Sequence, residues 1–209
     1  MTKPNYTHLT LVVDRSGSME SIRDDAQGGI NTLLKEQFAE DGDLTVTLVE
    51  FDTTIDTVVR MTDAAPTYTL VPRGSTALLD AVGGEIVRTG ENLAALSDEQ
   101  KPEQVLFVVV TDGHENASVE YQLEAVRNLI TQQRDQYNWA FQFLGAAETA
   151  WQGREMGMSS SSFTGSGRGQ GTAYGRLNNE MKEVRRLKKR MFEMEEVIPE
   201  VDDESGKSA

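Results

Sequence analysis

A short apolar run that ends abruptly in a carboxylate and two hydroxyls is the feature that most limits how this chain can fold. The run at residues 9–13 is followed by Asp14, and then by Ser16 and Ser18 on either side of Gly17. A short run rich in β-branched residues is typical of a strand buried in a parallel sheet. Because open α/β sheets bind ligands at the carboxyl ends of their strands, we expect Asp14, Ser16 and Ser18 to lie at such an edge. One carboxylate with two hydroxyls is a hard oxygen set, which suits Mg²⁺ better than zinc.

The two serines have a second interpretation, because serine is also a preferred helix N-cap and a helical pattern follows them. Two further segments bear on the choice. Thr76 lies in a glycine-containing loop at residues 73–78, before another helical pattern. Asp112 follows a second apolar run, at residues 104–110, and precedes Gly113. A threonine and a second aspartate therefore occupy positions from which they can reach the same edge of a sheet.

Together these segments resemble the von Willebrand factor A (vWA) domain family and its metal-ion-dependent adhesion site (MIDAS). The family's pattern is Asp-x-Ser-x-Ser, then a distant Thr, and then a distant Asp within Thr-Asp-Gly. The resemblance covers residues 6–165. The sequence matches the five positions of the pattern at Asp14, Ser16, Ser18, Thr76 and Asp112.

The resemblance implies that these side chains hold a divalent cation, Mg²⁺ with Mn²⁺ or Ca²⁺ as alternatives. It implies that Asp14 and the hydroxyls contact the ion directly or through water, and that Asp112 does so through water. Thr76 would coordinate the ion directly when an Asp or Glu of a partner protein completes the octahedron. Mg²⁺ retains water ligands that such a carboxylate can displace. The implied chemistry is recognition, because a shared cation makes two carboxylates attract each other.

The hydrophobic pattern predicts an α/β fold, because strand-like and helical segments alternate along the chain. The resemblance implies a doubly wound, Rossmann-like, mostly parallel sheet with one antiparallel edge strand and helices on both faces. The pair Gly28 and Gly29 predicts close packing of the first helix on this sheet. Strands are predicted at 7–13, 44–51, 55–59 (the antiparallel edge), 104–110, 139–144 and 161–164, and helices at 22–38, 77–87, 119–137 and 146–156.

The C-terminal part of the chain predicts a long helix attached to the vWA domain at residues 1–165. A glycine-rich hinge is predicted at 166–172, an amphipathic helix at 173–198 and a disordered acidic and polar tail at 199–209. The helix has two interpretations: it docks on the sheet of its own domain, or its distal half binds a partner or a second copy. Its apolar stripe consists of Leu177, Met181, Val184, Leu187, Met191, Met194 and Ile198.

Composition limits the classes of partner and the compartment. The net charge is −14, from 34 acidic and 20 basic residues, so we expect neither nucleic acid nor anionic membrane as a partner. The absence of cysteine excludes disulfides and thiol chemistry and fits a reducing compartment. No apolar run resembles a signal-peptide core or approaches the ~20 residues of a spanning helix. These features predict a soluble, cytoplasmic protein.

No catalytic residue is predicted. The chain has only two histidines, His8 and His114, so few residues are present from which a histidine-based catalytic triad could form. Ser16 stands where the Asp-x-Asp motif of haloacid-dehalogenase-like phosphatases has its second carboxylate, so a general acid is missing. His8 is predicted to be structural. Arg15 is predicted to be solvated or to lie at the rim of the site, with contact to the ligand as the alternative. A metal-assisted hydrolase that uses Glu115 or His114 is the remaining enzymatic alternative.

We therefore predict a non-enzymatic, metal-dependent protein-binding module that recognises an acidic residue of a partner through a bound cation. The resemblance implies the role of an intracellular adaptor, working with an ATPase-containing or other complex. The main alternative is a self-assembling structural protein that uses the C-terminal helix. No feature of the sequence specifies the oligomeric state.

Overall fold

The structure, a computed structural model, describes residues 2–163 and 167–195, with side chains described in 2–163 and 171–187. Strands and helices alternate along most of this length, as the sequence predicts. The strands are β1 (Lys3–Asp14), β2 (Asp43–Phe51), β3 (Ile55–Thr62), β4 (Pro102–Thr111), β5 (Ala140–Ala146) and β6 (Ser159–Phe163). The helices are α1 (Arg23–Phe38), α2 (Leu78–Ala94), α3 (Leu123–Tyr137), α4 (Trp151–Met156) and α5 (Gly167–Glu195).

The strands form one sheet in the order β3-β2-β1-β4-β5-β6. All neighbours pair in parallel except β2 and β3, so β3 is the predicted antiparallel edge strand. The prediction of a doubly wound, mostly parallel sheet is confirmed. The chain continues from β1 to β2 on one side and later returns to β4 on the other. The carboxyl ends of β1 and β4 therefore form the topological switch point, where sheets of this type bind ligands.

Helices cover both faces of the sheet. Successive residues of β1 are apolar, and because neighbouring side chains of a strand point to opposite faces, both faces must be buried. Leu9, Leu11 and Val13 lie in the core on one face, together with apolar side chains of α1 and α5. Val12 points to the opposite face, where it lies with Phe107 of β4 under α2 and α3. Fully burying a side chain of this size stabilises a fold by about 1.5–3 kcal/mol. The two-sided core therefore fixes the strand ends that carry the candidate site.

The two glycines of α1 have different environments. A Cβ added at Gly29 would lie 2.4 Å from Cδ2 of Tyr174 in α5, whereas at Gly28 it would meet nothing within 4 Å. The predicted close packing is therefore present at Gly29, but its partner is an aromatic ring of α5 instead of the sheet. A similar contact occurs in α2, where a Cβ at Gly83 would lie 2.4 Å from the ring of Tyr121.

α4 begins at Trp151 instead of residue 146, because β5 continues to Ala146. Two further helix boundaries differ from the prediction. α2 continues past residue 87 to Ala94, because Thr89 and Leu93 remain buried against the sheet. α3 begins at Leu123 instead of residue 119, because the carboxylate of Asp80 accepts the backbone N–H groups of residues 119–121. In both places the pairing of distant residues decides where the helix lies.

α5 also differs from its predicted bounds. It begins at Gly167, so residues 167–172 of the predicted hinge are helical. Its described first half packs against α1, with Leu177 and Met181 in the core. Further along, Arg185 donates hydrogen bonds to the backbone oxygens of Gln37 (2.7 Å) and Asp41 (3.3 Å). The helix therefore docks on its own domain as far as Arg185.

The chain beyond this docked half is described only in part. Leu187 is 57% exposed, although it belongs to the predicted apolar stripe. The side chains at 191–198 and the predicted tail at 199–209 lie outside the described residues, so those predictions stay open. None of the helices in the described ranges is long and apolar enough to cross a membrane.

Candidate metal site

The predicted ligands come from strands on both sides of the switch point. Asp14 is the last residue of β1, and Asp112 follows directly after the last residue of β4. The two strands pair in parallel up to Val13 and Val110, so their carboxyl ends lie side by side. The fold thus brings together two carboxylates that are 98 positions apart in the sequence.

The two serines link these carboxylates through hydrogen bonds. The backbone N–H of Ser16 donates to Oδ1 of Asp14 at 2.6 Å. The hydroxyls of Ser16 and Ser18 lie 3.1 Å apart, and the Ser18 hydroxyl donates to Oδ1 of Asp112 at 2.6 Å. Ser16 occupies the N-cap of a short 3₁₀ turn, but its side chain makes no capping hydrogen bond. Ser16 therefore has the N-cap position, but it does not satisfy the first amides with its hydroxyl as the N-cap interpretation requires.

Thr76 approaches the same place from the loop before α2. Its backbone N–H donates to Oδ1 of Asn116 at 2.9 Å, and within the described residues no hydrogen-bond partner is found for its hydroxyl. Gly113 marks the space that this hydroxyl faces. A Cβ at Gly113 would lie 2.7 Å from Oγ1 of Thr76 and 3.2 Å from Oδ2 of Asp14. The glycine therefore lets both oxygens lie close to its backbone, where a Cβ would crowd them.

Of the two carboxylates at this edge, Asp14 is buried and Asp112 is half-buried, and neither has a positive partner among the described residues. Burial raises the pKa of Asp14 to about 6, although hydrogen bonds from Thr111 and Ser16 oppose the shift. Burial also raises the pKa of Asp112, against the hydrogen bond from Ser18. In the described part of the chain neither carboxylate forms an ion pair. A cation at this position would favour their charged forms.

The oxygen spacing fits a small octahedral cation. Mg²⁺ binds oxygens at about 2.0–2.1 Å, which puts neighbouring ligands of an octahedron about 2.9 Å apart. The oxygen–oxygen distances from Ser16 to Ser18 and from Ser18 to Asp112, 3.1 and 2.6 Å, bracket that spacing. No group of three or more His, Cys, Asp or Glu side chains with metal-binding geometry occurs in the described ranges. A cation here would therefore depend on the hydroxyls, and the assignment of these ligands stays a prediction.

Arg15 does not lie solvated at the rim, so that prediction is wrong. Its side chain is 5% exposed. Its guanidinium forms ion pairs with Glu50, with Asp52 (3.0 Å) and with Asp56. Burying a charge is costly unless it is paired, which these three carboxylates achieve. The sequence could not reveal this arrangement, because the acidic partners lie on β2, on β3 and in the turn between them.

Glu115 and His114, the two candidate residues for hydrolysis, lie among structural contacts. The carboxylate of Glu115 accepts hydrogen bonds from the backbone N–H groups of Leu79, Ala117 and Ser118 and from the Ser118 hydroxyl. A carboxylate occupied in this way holds the start of α2 and is poorly placed to take a substrate proton. The ring of His114 is exposed and lies 6.3 Å from that of Trp151.

His8 is structural, as predicted. Its side chain is 1% exposed, and its Nδ1 lies 2.8 Å from the hydroxyl of Thr45. Burial, with a smaller effect of the Arg60 charge, lowers the pKa of His8 to about 4. The imidazole is therefore neutral at pH 7.

No family model and no curated protein matches the sequence, but several solved structures match the fold. A von Willebrand factor type A protein from Catenulispora acidiphila is 14% identical with a TM-score of 0.56, over 85% of this chain and 42% of that one. Proximal thread matrix protein 1 from the mussel byssus, solved with a zinc-occupied MIDAS motif, is 12% identical with a TM-score of 0.56, over 87% and 47%. A variant of the PilB minor pilin from Streptococcus sanguinis is 12% identical with a TM-score of 0.61, over 90% and 64%.

At these identities the similarity concerns the fold alone. The chain spans less than two thirds of each of the three proteins. Their TM-scores of 0.56–0.61 support the same overall fold for the domain described above. This chain has a von Willebrand factor A-like fold.

Proposed function

We propose that this protein is a non-enzymatic, metal-dependent binding module that recognises an acidic residue of a partner protein. The observation that carries the proposal is the hydrogen-bonded line from Ser16 through Ser18 to Asp112, beside the buried Asp14. This line and Asp14 lie at the switch point, and together they contain two carboxylates that have no positive partner in the described chain. The fold similarity to a protein solved with a zinc-occupied MIDAS motif supports it.

Each side chain has a distinct task in this proposal. Asp14 and Asp112 supply negative charge, and their burial disfavours that charge until a cation is present. Ser16 and Ser18 supply neutral oxygens at ligand spacing. Thr76 keeps its hydroxyl beside Gly113 and Asp14. When bound, Mg²⁺ or Mn²⁺ would attract the partner's carboxylate to a surface that otherwise repels it, since the protein carries a net charge of −14.

The proposed setting is the cytoplasm, where the module would act as an adaptor for an ATPase-containing or other complex. The second candidate is self-assembly through α5. Leu187 continues the stripe of buried apolar residues on α5 but is 57% exposed, which favours this candidate. Fold similarity to a minor pilin and to a byssal matrix protein fits the second candidate as well as the first.

Selection from a random peptide display library tests the first candidate. We expect peptides captured by the wild type in Mg²⁺ and released by EDTA to share an Asp or Glu. Asp14→Ala and Thr76→Ala should not capture them. Asp135→Ala is the matched control, because this carboxylate is 60% exposed near the end of α3, away from the switch point. Peptides that bind equally in EDTA, or equally to Asp14→Ala, would contradict the proposal.

A further inference from the structure

The loop that carries Thr76 is fastened to a buried carboxylate in the turn after β2. The side chain of Asp52 is 3% exposed, and its Oδ2 accepts hydrogen bonds from Nε of Arg15 (3.0 Å) and Nε of Arg73 (2.7 Å). Arg15 lies between the predicted ligands Asp14 and Ser16, and Arg73 lies three positions before Thr76. One carboxylate therefore touches both segments that supply ligands from this side of the sheet.

Backbone hydrogen bonds hold the same two segments together. The N–H of Arg73 donates to the oxygen of Arg15 at 2.7 Å, and the N–H of Gly17 donates to the oxygen of Gly74 at 3.2 Å. On the other side of Thr76, the N–H of Ala77 donates to the backbone oxygen of Asp52 at 2.9 Å. The loop is thus held both before and after the residue whose hydroxyl faces the site.

The charges around Asp52 favour this arrangement strongly. Burial alone would raise the pKa of Asp52, but hydrogen bonds from Arg73 and Thr54 and the charge of Arg15 outweigh it, so the pKa lies well below its usual range. Asp56 also pairs with Arg15 and, at 3.5 Å, with Arg73, but its side chain is 54% exposed. Because removing a member of a buried ion network is destabilising, Asp52 is the buried link between the two arginines.

We propose that Asp52 is a positioning residue of the metal site. Its carboxylate holds Arg15 and Arg73, and through them sets the distance between the Asp14–Ser18 segment and the Thr76 loop before any partner binds. This inference rests on the proposed metal-binding function. It makes the site preorganised for the cation, so that the partner needs only to add its own carboxylate.

The chain offers a matched control for this network. Glu85 of α2 has a side-chain exposure of 0% and also pairs with two arginines, Arg60 (3.3 Å) and Arg88 (3.0 Å). The hydroxyl of Thr89 donates a hydrogen bond to Glu85 and lies 3.2 Å from the hydroxyl of Thr10 in β1. Thr10 lies four positions before Asp14 on β1, a distance of about 13 Å at the rise of an extended strand. Glu85→Gln therefore disturbs a similar buried network without touching the site.

The experiment compares Mn²⁺ binding and amide exchange in Asp52→Asn, Glu85→Gln and the wild type. The Mn²⁺ dissociation constant is measured from the loss of the EPR signal of the free ion. We expect both variants to melt earlier, but only Asp52→Asn to bind Mn²⁺ about tenfold or more weakly, as seen for groups that orient metal ligands. The amides of Arg73 and Ala77 should exchange faster in Asp52→Asn only.

Arg73→Lys is a second variant that keeps the test decisive if Asp52→Asn does not fold. The Arg73 side chain is 59% exposed, so its loss should change the melting temperature little while still weakening Mn²⁺ binding. Mn²⁺ affinity equal to that of the wild type in Asp52→Asn or, if that variant does not fold, in Arg73→Lys would overturn the inference, as would an equal loss in Glu85→Gln. Mn²⁺ binding that survives Asp14→Ala would instead contradict the proposed metal site itself.

Discussion

Adding one methyl group to α1 tests how α5 is packed. Gly29→Ala would bring a Cβ to 2.4 Å from Cδ2 and 2.6 Å from Cγ of Tyr174, whereas Gly28→Ala meets no atom within 4 Å. Carbon atoms in contact normally lie about 3.5–4.0 Å apart. The Tyr174 ring must therefore shift by more than about 1 Å, although it is 4% exposed and lies in the core.

The magnitudes follow from two opposing effects. Replacing glycine by alanine inside a helix stabilises it by about 0.8–1.0 kcal/mol, and both variants gain this amount. Overpacking a buried site costs about 1–3 kcal/mol, and only Gly29→Ala suffers it. We therefore expect Gly28→Ala to be more stable than the wild type, and Gly29→Ala to be about 1–3 kcal/mol less stable than Gly28→Ala.

Urea unfolding followed by circular dichroism measures this difference. Both variants are also made in a Tyr174→Ala background, which removes the ring that the methyl group would meet. The difference between them should then disappear, although Tyr174→Ala itself should destabilise the protein by about 3–5 kcal/mol. Equal stabilisation by Gly28→Ala and Gly29→Ala with Tyr174 in place would refute the packing of α5 on α1.

The remaining predictions concern pH and the space beside Gly113. The folded pKa of His8, about 4 against 6.5 in an exposed histidine, means that only the unfolded chain binds this proton between those values. His8 should therefore lower the free energy of unfolding by about 3 kcal/mol as the pH falls from 6.5 to 4, a loss absent from His8→Gln in pH-dependent urea melts. Gly113→Ala should weaken Mn²⁺ binding in EPR titrations, because its methyl group would crowd Thr76 and Asp14, while Gly84→Ala, which meets nothing within 4 Å, should not. Unchanged Mn²⁺ affinity in Gly113→Ala, or equal pH dependence in His8→Gln, would contradict these expectations.

The sheet and the position of the candidate site could be predicted because local patterns in the sequence indicate both. The apolar runs that became β1 and β4 each end at an aspartate, and a parallel sheet brings such ends together. The antiparallel edge strand followed from a short turn after β2. The prediction of Asp14, Ser16, Ser18, Thr76 and Asp112 as a group required a family resemblance as well, since their spacing along the chain is irregular.

The features that sequence reasoning missed depend on distant partners. Arg15 looked like a solvated side chain because its carboxylate partners come 35–41 positions later. Gly29 gave no sign of Tyr174, and the glycines at the start of α5 suggested a hinge although the backbone there is helical. Tertiary packing overrode local propensity in each case.

Thermal unfolding with and without Mg²⁺ tests the metal site most directly. A ligand that binds only the folded state at 100 times its dissociation constant adds about 2.7 kcal/mol, which corresponds to about 5–10 °C for a chain of this size. We predict this upward shift, relative to EDTA, for the wild type and for the control Asp135→Ala. The variant that combines Asp14→Ala with Ser16→Ala should show none. An equal shift in this double variant would mean that Mg²⁺ binds elsewhere on the acidic surface, and would contradict the site at the switch point.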